Sequence, residues 1–213
     1  APSDLSSQLE SLREEVLRAT GDDCLYFYPF SALHCTVASL LKFTSGLGKH
    51  LAKADEKEQT AYIDKWKALV DKVYSHKDFP RKPAKVTFQR PELPGTTAII
   101  LIENQGKEVF QIRDLLKQEC KEPPDKYHLQ INIPEITHFP NIVHSSVARF
   151  KSPPKDEKKF REAFSTAAAK WKPVTCELSE IYLTVETVPY MHMDKSSAVK
   201  KTYKLDEKST KSD

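Results

Sequence analysis

Apolar residues recur at three- and four-residue intervals through Leu5, Leu9, Leu12, Val16 and Leu17 and stop before Gly21, which predicts an amphipathic helix with a C-terminal stop. Residues 24–43 are apolar and rich in aromatics (Leu25, Tyr26, Phe27, Phe30, Leu33, Val37, Leu40, Leu41) and read as containing a buried strand around His34. The charged stretch 48–77 carries Ile63, Trp66, Leu69, Val70 and Val73 on one helical face. Past Pro80 and Pro83 the period changes. Lys85-Val86-Thr87-Phe88 and the run Thr97–Ile102 predict two strands joined through Pro91, Pro94 and Gly95. A helix over about 107–120 follows, with Val109, Ile112, Leu115 and Leu116 on one face.

The second half replays this order. Ile142–Phe150 reads as a strand, Asp156–Trp171 as a helix with Phe160, Phe164 and Ala168 inward, and Val174–Val188 as a strand pair. A last strand lies around Thr202–Leu205, and the polar residues 206–213 read as a disordered tail. The expected fold class is therefore α+β. It would form a single bilobal domain over 1–213, with an N-terminal helix in 1–23 and two pseudo-symmetric lobes, each an antiparallel-rich sheet backed by helices, around a central cleft.

Composition narrows the partners more than the fold. Lys and Arg number 33 against 30 Asp and Glu, a formal +3, too little to hold long nucleic acid by its backbone. Small or end-bound ligands fit better. Cys24, Cys35, Cys120 and Cys176 show no C-x-x-C pair and no regular spacing, so neither a zinc ribbon nor a disulfide framework is indicated. No apolar stretch reaches membrane-spanning length, and the chain reads as a cytoplasmic or nuclear monomer with no membrane partner.

The candidate chemistry lies in two short strings, His34-Cys35-Thr36-Val37 and His144-Ser145-Ser146-Val147. Each is His-x-Thr/Ser-apolar, one per half. In an extended strand, side chains at i and i+2 share a face about 7 Å apart along the chain, so each string can present one imidazole and one hydroxyl to the same cavity. Two such strings supply paired imidazoles to move protons and hydroxyls to hold phosphoryl oxygens. Chance alone supplies about one His-x-Ser/Thr match in a chain of this composition. The other histidines, His50, His76, His128, His138 and His192, are followed at the second position by Ala52, Asp78, Gln130, Pro140 and Asp194 and fail the pattern.

Blander readings stand beside these. A lone histidine in an apolar strand is commonly a hydrogen-bonded core residue, and Cys35 reads as a small buried residue pointing away from His34. Gly46-Leu-Gly48-Lys49 lacks the full phosphate-loop pattern and reads as a surface turn. Tyr26, Tyr28, Phe30 and Tyr190 could stack on a base, but core packing is the commoner role for aromatics of this kind and the one expected of each. Lys42 and Arg149 could add positive charge, although Arg149, three residues past Ser146, falls off the motif face of a regular strand.

His34-Cys-Thr-Val and His144-Ser-Ser-Val-Ala-Arg149, in this element order, resemble the two-histidine (2H) phosphoesterase superfamily, which includes the RNA ligase/cyclic phosphodiesterase-like proteins. Tyr182-Leu-Thr-Val-Glu-Thr, Pro189-Tyr190 and Lys201-Thr-Tyr-Lys-Leu205 resemble its closing strands, so the likeness spans about residues 24–205. Ser146 stands where threonine is more usual and keeps the hydroxyl; Val143 stands where proline is often found. The resemblance implies that His34 and His144 are the acid/base pair and that Thr36 and Ser146 bind the substrate phosphate. It further implies hydrolysis of 2′,3′-cyclic phosphates of nucleotides or RNA ends, or of related 2′-5′ phosphodiesters, with no metal or cofactor and a 2′-phosphate product. Two other classes compete. One is a binding module of the same fold that holds a nucleotide or RNA terminus without turnover; the other is a His/Cys metalloprotein, disfavoured because no ligand spacing recurs.

Overall fold

A computed structural model of the chain describes residues 3–42, 45–121, 138–186 and 198–205. The expected tail over 206–213, together with His128, Pro189, Tyr190 and His192, lies outside the described residues. The fold is mixed α+β, and its backbone divides into two compact units. Neither is a consecutive half of the chain. The first unit comprises residues 1–36, 85–105 and 142–177, and the second comprises 37–84, 106–141 and 178–213.

The first unit is a five-stranded sheet with two helices. Its strands are β1 (Leu25–Phe27), β2 (Ala84–Glu92), β3 (Thr97–Asn104), β4 (His144–Phe150) and β5 (Val174–Leu178), in the order β1-β4-β3-β2-β5. The β1–β4, β4–β3 and β3–β2 pairs are antiparallel. Helix α1 (Ser3–Thr20) places Leu5, Leu9, Leu12 and Val16 in the core, as their spacing predicts. It ends where Gly21 takes φ +62° and donates its amide to the Leu17 carbonyl, a left-handed stop that glycine adopts without a Cβ clash. The later helix of this unit spans Glu157–Ala168 and is capped by Asp156, whose carboxylate accepts from the Lys159 amide. Its Phe160 and Phe164 are 1% and 2% exposed, and each buried ring contributes about 2–3 kcal/mol of hydrophobic stabilisation. Phe160 meets Phe150 of β4 at 5.3 Å between ring centroids, which fixes the helix-covered face of the sheet. Arg161 of the same helix donates to the carbonyls of Leu93 and Gly95, tying down the β2–β3 turn where Gly95 has φ +109°.

The second unit contains α2 (Gly46–Leu51), α3 (Glu56–Tyr74) and α4 (Glu108–Cys120), so the Glu157–Ala168 helix is α5. It also contains the antiparallel pair β6 (Glu180–Thr184) and β7 (Val199–Lys204). Trp66, Leu69 and Val73 of α3 and Val109, Ile112 and Leu116 of α4 are buried, and the two helices pack together. Asp71 of α3 accepts from Lys201 Nζ at 2.6 Å and from the Tyr203 hydroxyl at 2.7 Å, pinning α3 to β7.

Two expectations need correction. The strands predicted within Val174–Val188 form, but not as a pair. β5 joins the five-stranded sheet and β6 pairs with β7, with Ser179 between them. Gly46-Leu-Gly48-Lys49 is the start of α2 rather than a turn, because Ser45 caps it by accepting the Gly48 amide at 2.9 Å.

Candidate functional site

The second motif occupies β4 as its alternation predicts. His144 and Ser146 are half-buried, whereas Ser145 is 2% exposed and Val147 1%. Extended backbone sends i and i+2 to one face, so His144 and Ser146 share the less buried side, opposite Leu101 and Ile99 of β3.

A β-bulge then changes the phase of this strand. The β3–β4 register steps from Ile99↔Ser146 to Ala98↔Ala148, leaving Val147 as the extra residue on β4. Val147 and Ala148 are both buried, so two consecutive side chains turn toward the core. Beyond them Phe150 meets Phe160 on the helix-covered side, and Arg149 falls on the face of His144 and Ser146. The off-face reading of Arg149 is thereby corrected: it assumed a regular strand. Arg149 pairs in register with Tyr26 of β1. Tyr26 and Tyr28, half-buried, make an edge-to-face contact at 5.5 Å between ring centroids, on the same side as Arg149. One face of this sheet thus gathers an imidazole, a hydroxyl, a guanidinium and two phenols.

The first motif is not in a strand, contrary to the expectation from its apolar surroundings. β1 ends at Phe27; the Tyr28 amide still donates to the Val147 carbonyl at 2.9 Å, and Pro29, with φ −55°, then opens a turn in which its carbonyl accepts the Ala32 amide. A 3-10 turn over Phe30–Ala32 follows, and His34, Cys35 and Thr36 lie in irregular backbone after it. Here i, i+2 sharing of a face is not provided by a ladder. His34 is exposed, and its Nδ1 lies 2.9 Å from the Ala32 carbonyl. A carbonyl oxygen only accepts, so Nδ1 carries the proton and Nε2 is the nitrogen left for proton exchange. Cys35 and Thr36 are half-buried, so Cys35 is less enclosed than expected. Just beyond, Arg113 Nε donates to the Val37 carbonyl at 2.8 Å, and Ser39 and His138 exchange two backbone hydrogen bonds of 2.8 Å.

All four candidate residues, His34, Thr36, His144 and Ser146, belong to the same compact unit although they come from distant parts of the chain. Lys42 belongs to the other unit. The cysteines divide by burial: Cys24 and Cys120 are 2% and 4% exposed, and burial pushes the Cys120 thiol up to about 11. Among the described residues, no three His, Cys, Asp or Glu side chains cluster as a metal-ligand set, and no helix is long and apolar enough to cross a membrane.

Comparison with known proteins adds a fold but no family. The crystal structure of TT0787 of Thermus thermophilus is similar to this chain with a TM-score of 0.53 and 15% identity, over 95% of this chain and 94% of that one. At this identity the likeness is one of fold. No family model and no curated protein matches the chain.

Proposed function

We propose that the chain is a two-histidine phosphoesterase that hydrolyses 2′,3′-cyclic phosphates of nucleotides or RNA ends, or related 2′-5′ phosphodiesters, without a metal. The observation that carries this reading is that both His-x-Thr/Ser motifs fall within one compact unit, with His144 and Ser146 on one face of β4. In this reading the two motifs face one cleft.

His144 acts as base and takes a proton from water, whose oxygen attacks phosphorus in line with the P–O3′ bond. That bond breaks, and protonated His34 gives its Nε2 proton to O3′, leaving a 2′-phosphate. The Nδ1–Ala32 hydrogen bond supports this role, since it holds the ring while Nε2 delivers the proton. Thr36 and Ser146 donate hydroxyls to non-bridging phosphate oxygens, and Arg149 adds positive charge on the Ser146 face.

The test is a panel of 2′,3′-cyclic mononucleotides and 2′-5′ linked dinucleotides with phosphorus NMR of the products, in the presence and absence of a chelator. Hydrolysis to a 2′-phosphate in both conditions is the expected result. Tight binding with no turnover of any member would replace this reading with the nucleotide-binding module, and chelator-sensitive turnover would move the chain to metal chemistry.

A further inference from the structure

Arg113 is 1% exposed on α4, with its guanidinium over the Phe110 ring at 5.2 Å and its Nε donating to the Val37 carbonyl at 2.8 Å. A guanidinium withdrawn from water is a poor choice for filling space, because an apolar side chain of similar volume is commonly as stable or more so. What an apolar side chain cannot do is donate. The carbonyl that receives this hydrogen bond belongs to the residue directly after Thr36, and consecutive Cα atoms stand only about 3.8 Å apart. The backbone from Leu33 to Ala38 belongs to no strand. Among its tethers are the 3-10 turn before it, the His34–Ala32 bond, the Arg113 bond and the Ser39–His138 bridge after it.

We propose that Arg113 is a positioning residue for the first motif: its Nε–H fixes the Val37 carbonyl and so holds Thr36, and His34 two residues before it, in place. The anchor substitutes for the strand ladder that β4 gives the second motif. Its effect on turnover rests on the phosphodiesterase reading; the anchoring itself does not.

The experiment uses the full chain, isotope-labelled, as wild type, Arg113→Met and Arg113→Lys. Methionine keeps much of the volume and removes the donor, whereas lysine keeps a charge and a single-point donor without the planar fork. The expected result is amide exchange about tenfold faster at residues 34–38 in Arg113→Met, with β4 exchange unchanged, since a lost hydrogen bond of about 1.4 kcal/mol is a tenfold change in an opening equilibrium. The kcat for a 2′,3′-cyclic nucleotide falls about tenfold or more with little change in KM, because small misplacements of reacting groups cost up to about a hundredfold. Arg113→Lys recovers part of both. Unchanged exchange at 34–38 in folded Arg113→Met overturns the anchor whatever the activity does. If the wild type turns over no member of the substrate panel while 34–38 loosens in Arg113→Met, the phosphodiesterase reading falls and the anchor stands. Should Arg113→Met fail to fold, the wild type decides. A slowly exchanging Arg113 Nε–H with a scalar coupling to the Val37 carbonyl carbon supports the anchor, and solvent-rate exchange without that coupling overturns it.

Discussion

Tyr203 donates its hydroxyl to Asp71 Oδ1 at 2.7 Å, and each residue moves the other's titration. Burial raises the Asp71 carboxyl, but the hydrogen bonds from Lys201 and Tyr203 outweigh it and hold the group below its ordinary range. Burial, reinforced by the Asp71 carboxylate, pushes the Tyr203 phenol well above the usual tyrosine range. The two shifts bound a stability window. A carboxyl lowered on folding contributes stability that is present above its unfolded pKa and lost as pH falls through the folded one. A phenol raised on folding contributes stability present below its unfolded pKa and lost as pH rises toward the folded one. Thermal melts against pH should therefore show the second unit weakening below about pH 4 and above about pH 10. Tyr203→Phe should weaken the alkaline limb, leaving the part due to the buried thiols, and cost about 1–2 kcal/mol at neutral pH.

Ser145 and Ser146 are sequence neighbours with opposite expected behaviour. Ser146→Ala removes a hydroxyl from the motif face and should lower kcat for a cyclic nucleotide by about 10- to 100-fold, with the melting temperature nearly unchanged. The Ser145 hydroxyl is buried and, among the described residues, has no hydrogen-bond partner. Ser145→Ala should then be neutral or slightly stabilising in a denaturant titration and should leave turnover intact. Equal losses of activity in the two variants would argue against the face assignment.

His34→Ala and His144→Ala should each lower turnover by about 100- to 10,000-fold while retaining wild-type circular dichroism. Because one imidazole must be neutral and the other protonated, kcat/KM should follow a bell in pH, and each single variant should lose one limb. A rate that rises monotonically with pH in the wild type would exclude the paired mechanism.

Phe160→Ala should cost about 3–5 kcal/mol, measured by urea unfolding, since it empties the space between α5, Phe150 and the β1 side of the sheet. The same unfolding should expose the thiols. Cys24 and Cys120 are buried with raised thiol pKa, so at pH 8 an alkylating reagent should reach them only as denaturant opens the fold.

Much of this arrangement is legible in the residues. The stripe Leu5, Leu9, Leu12, Val16 and the stop at Gly21 delimit α1 closely, and the helix around Phe160 and Phe164 starts at its Asp156 cap. The alternation of His144, Ser145, Ser146 and Val147 marks the strand that carries the second motif. The first motif is misread for a local reason. Its apolar neighbours have strand-like composition, but Pro29 opens a 3-10 turn whose first hydrogen bond runs from the Ala32 amide to the Pro29 carbonyl, and composition alone does not weigh one turn-forming residue. The bulge had a signal: Val147 and Ala148 are consecutive apolar residues where alternation calls for one. Had that doubled position been taken as a phase change, Arg149 would have joined the motif face. The partnership of Arg113 with Val37 has no sequence signature, since a helical arginine among charged neighbours looks solvent-facing until the backbone is in place.

The sheet order β1-β4-β3-β2-β5 also constrains when the fold can appear. β1 pairs Leu25 with Phe150, so β1 waits for a strand that is synthesised long after it. Such distant pairing closes a long loop before any contact rewards it, and it slows folding relative to a chain whose neighbours in sequence are neighbours in space. β2 and β3 can form their hairpin early, but β4 is the strand that joins them to β1. The segment carrying His144 and Ser146 is therefore also the closing piece of the sheet, and a nascent or truncated chain lacking it has neither the sheet nor the second motif.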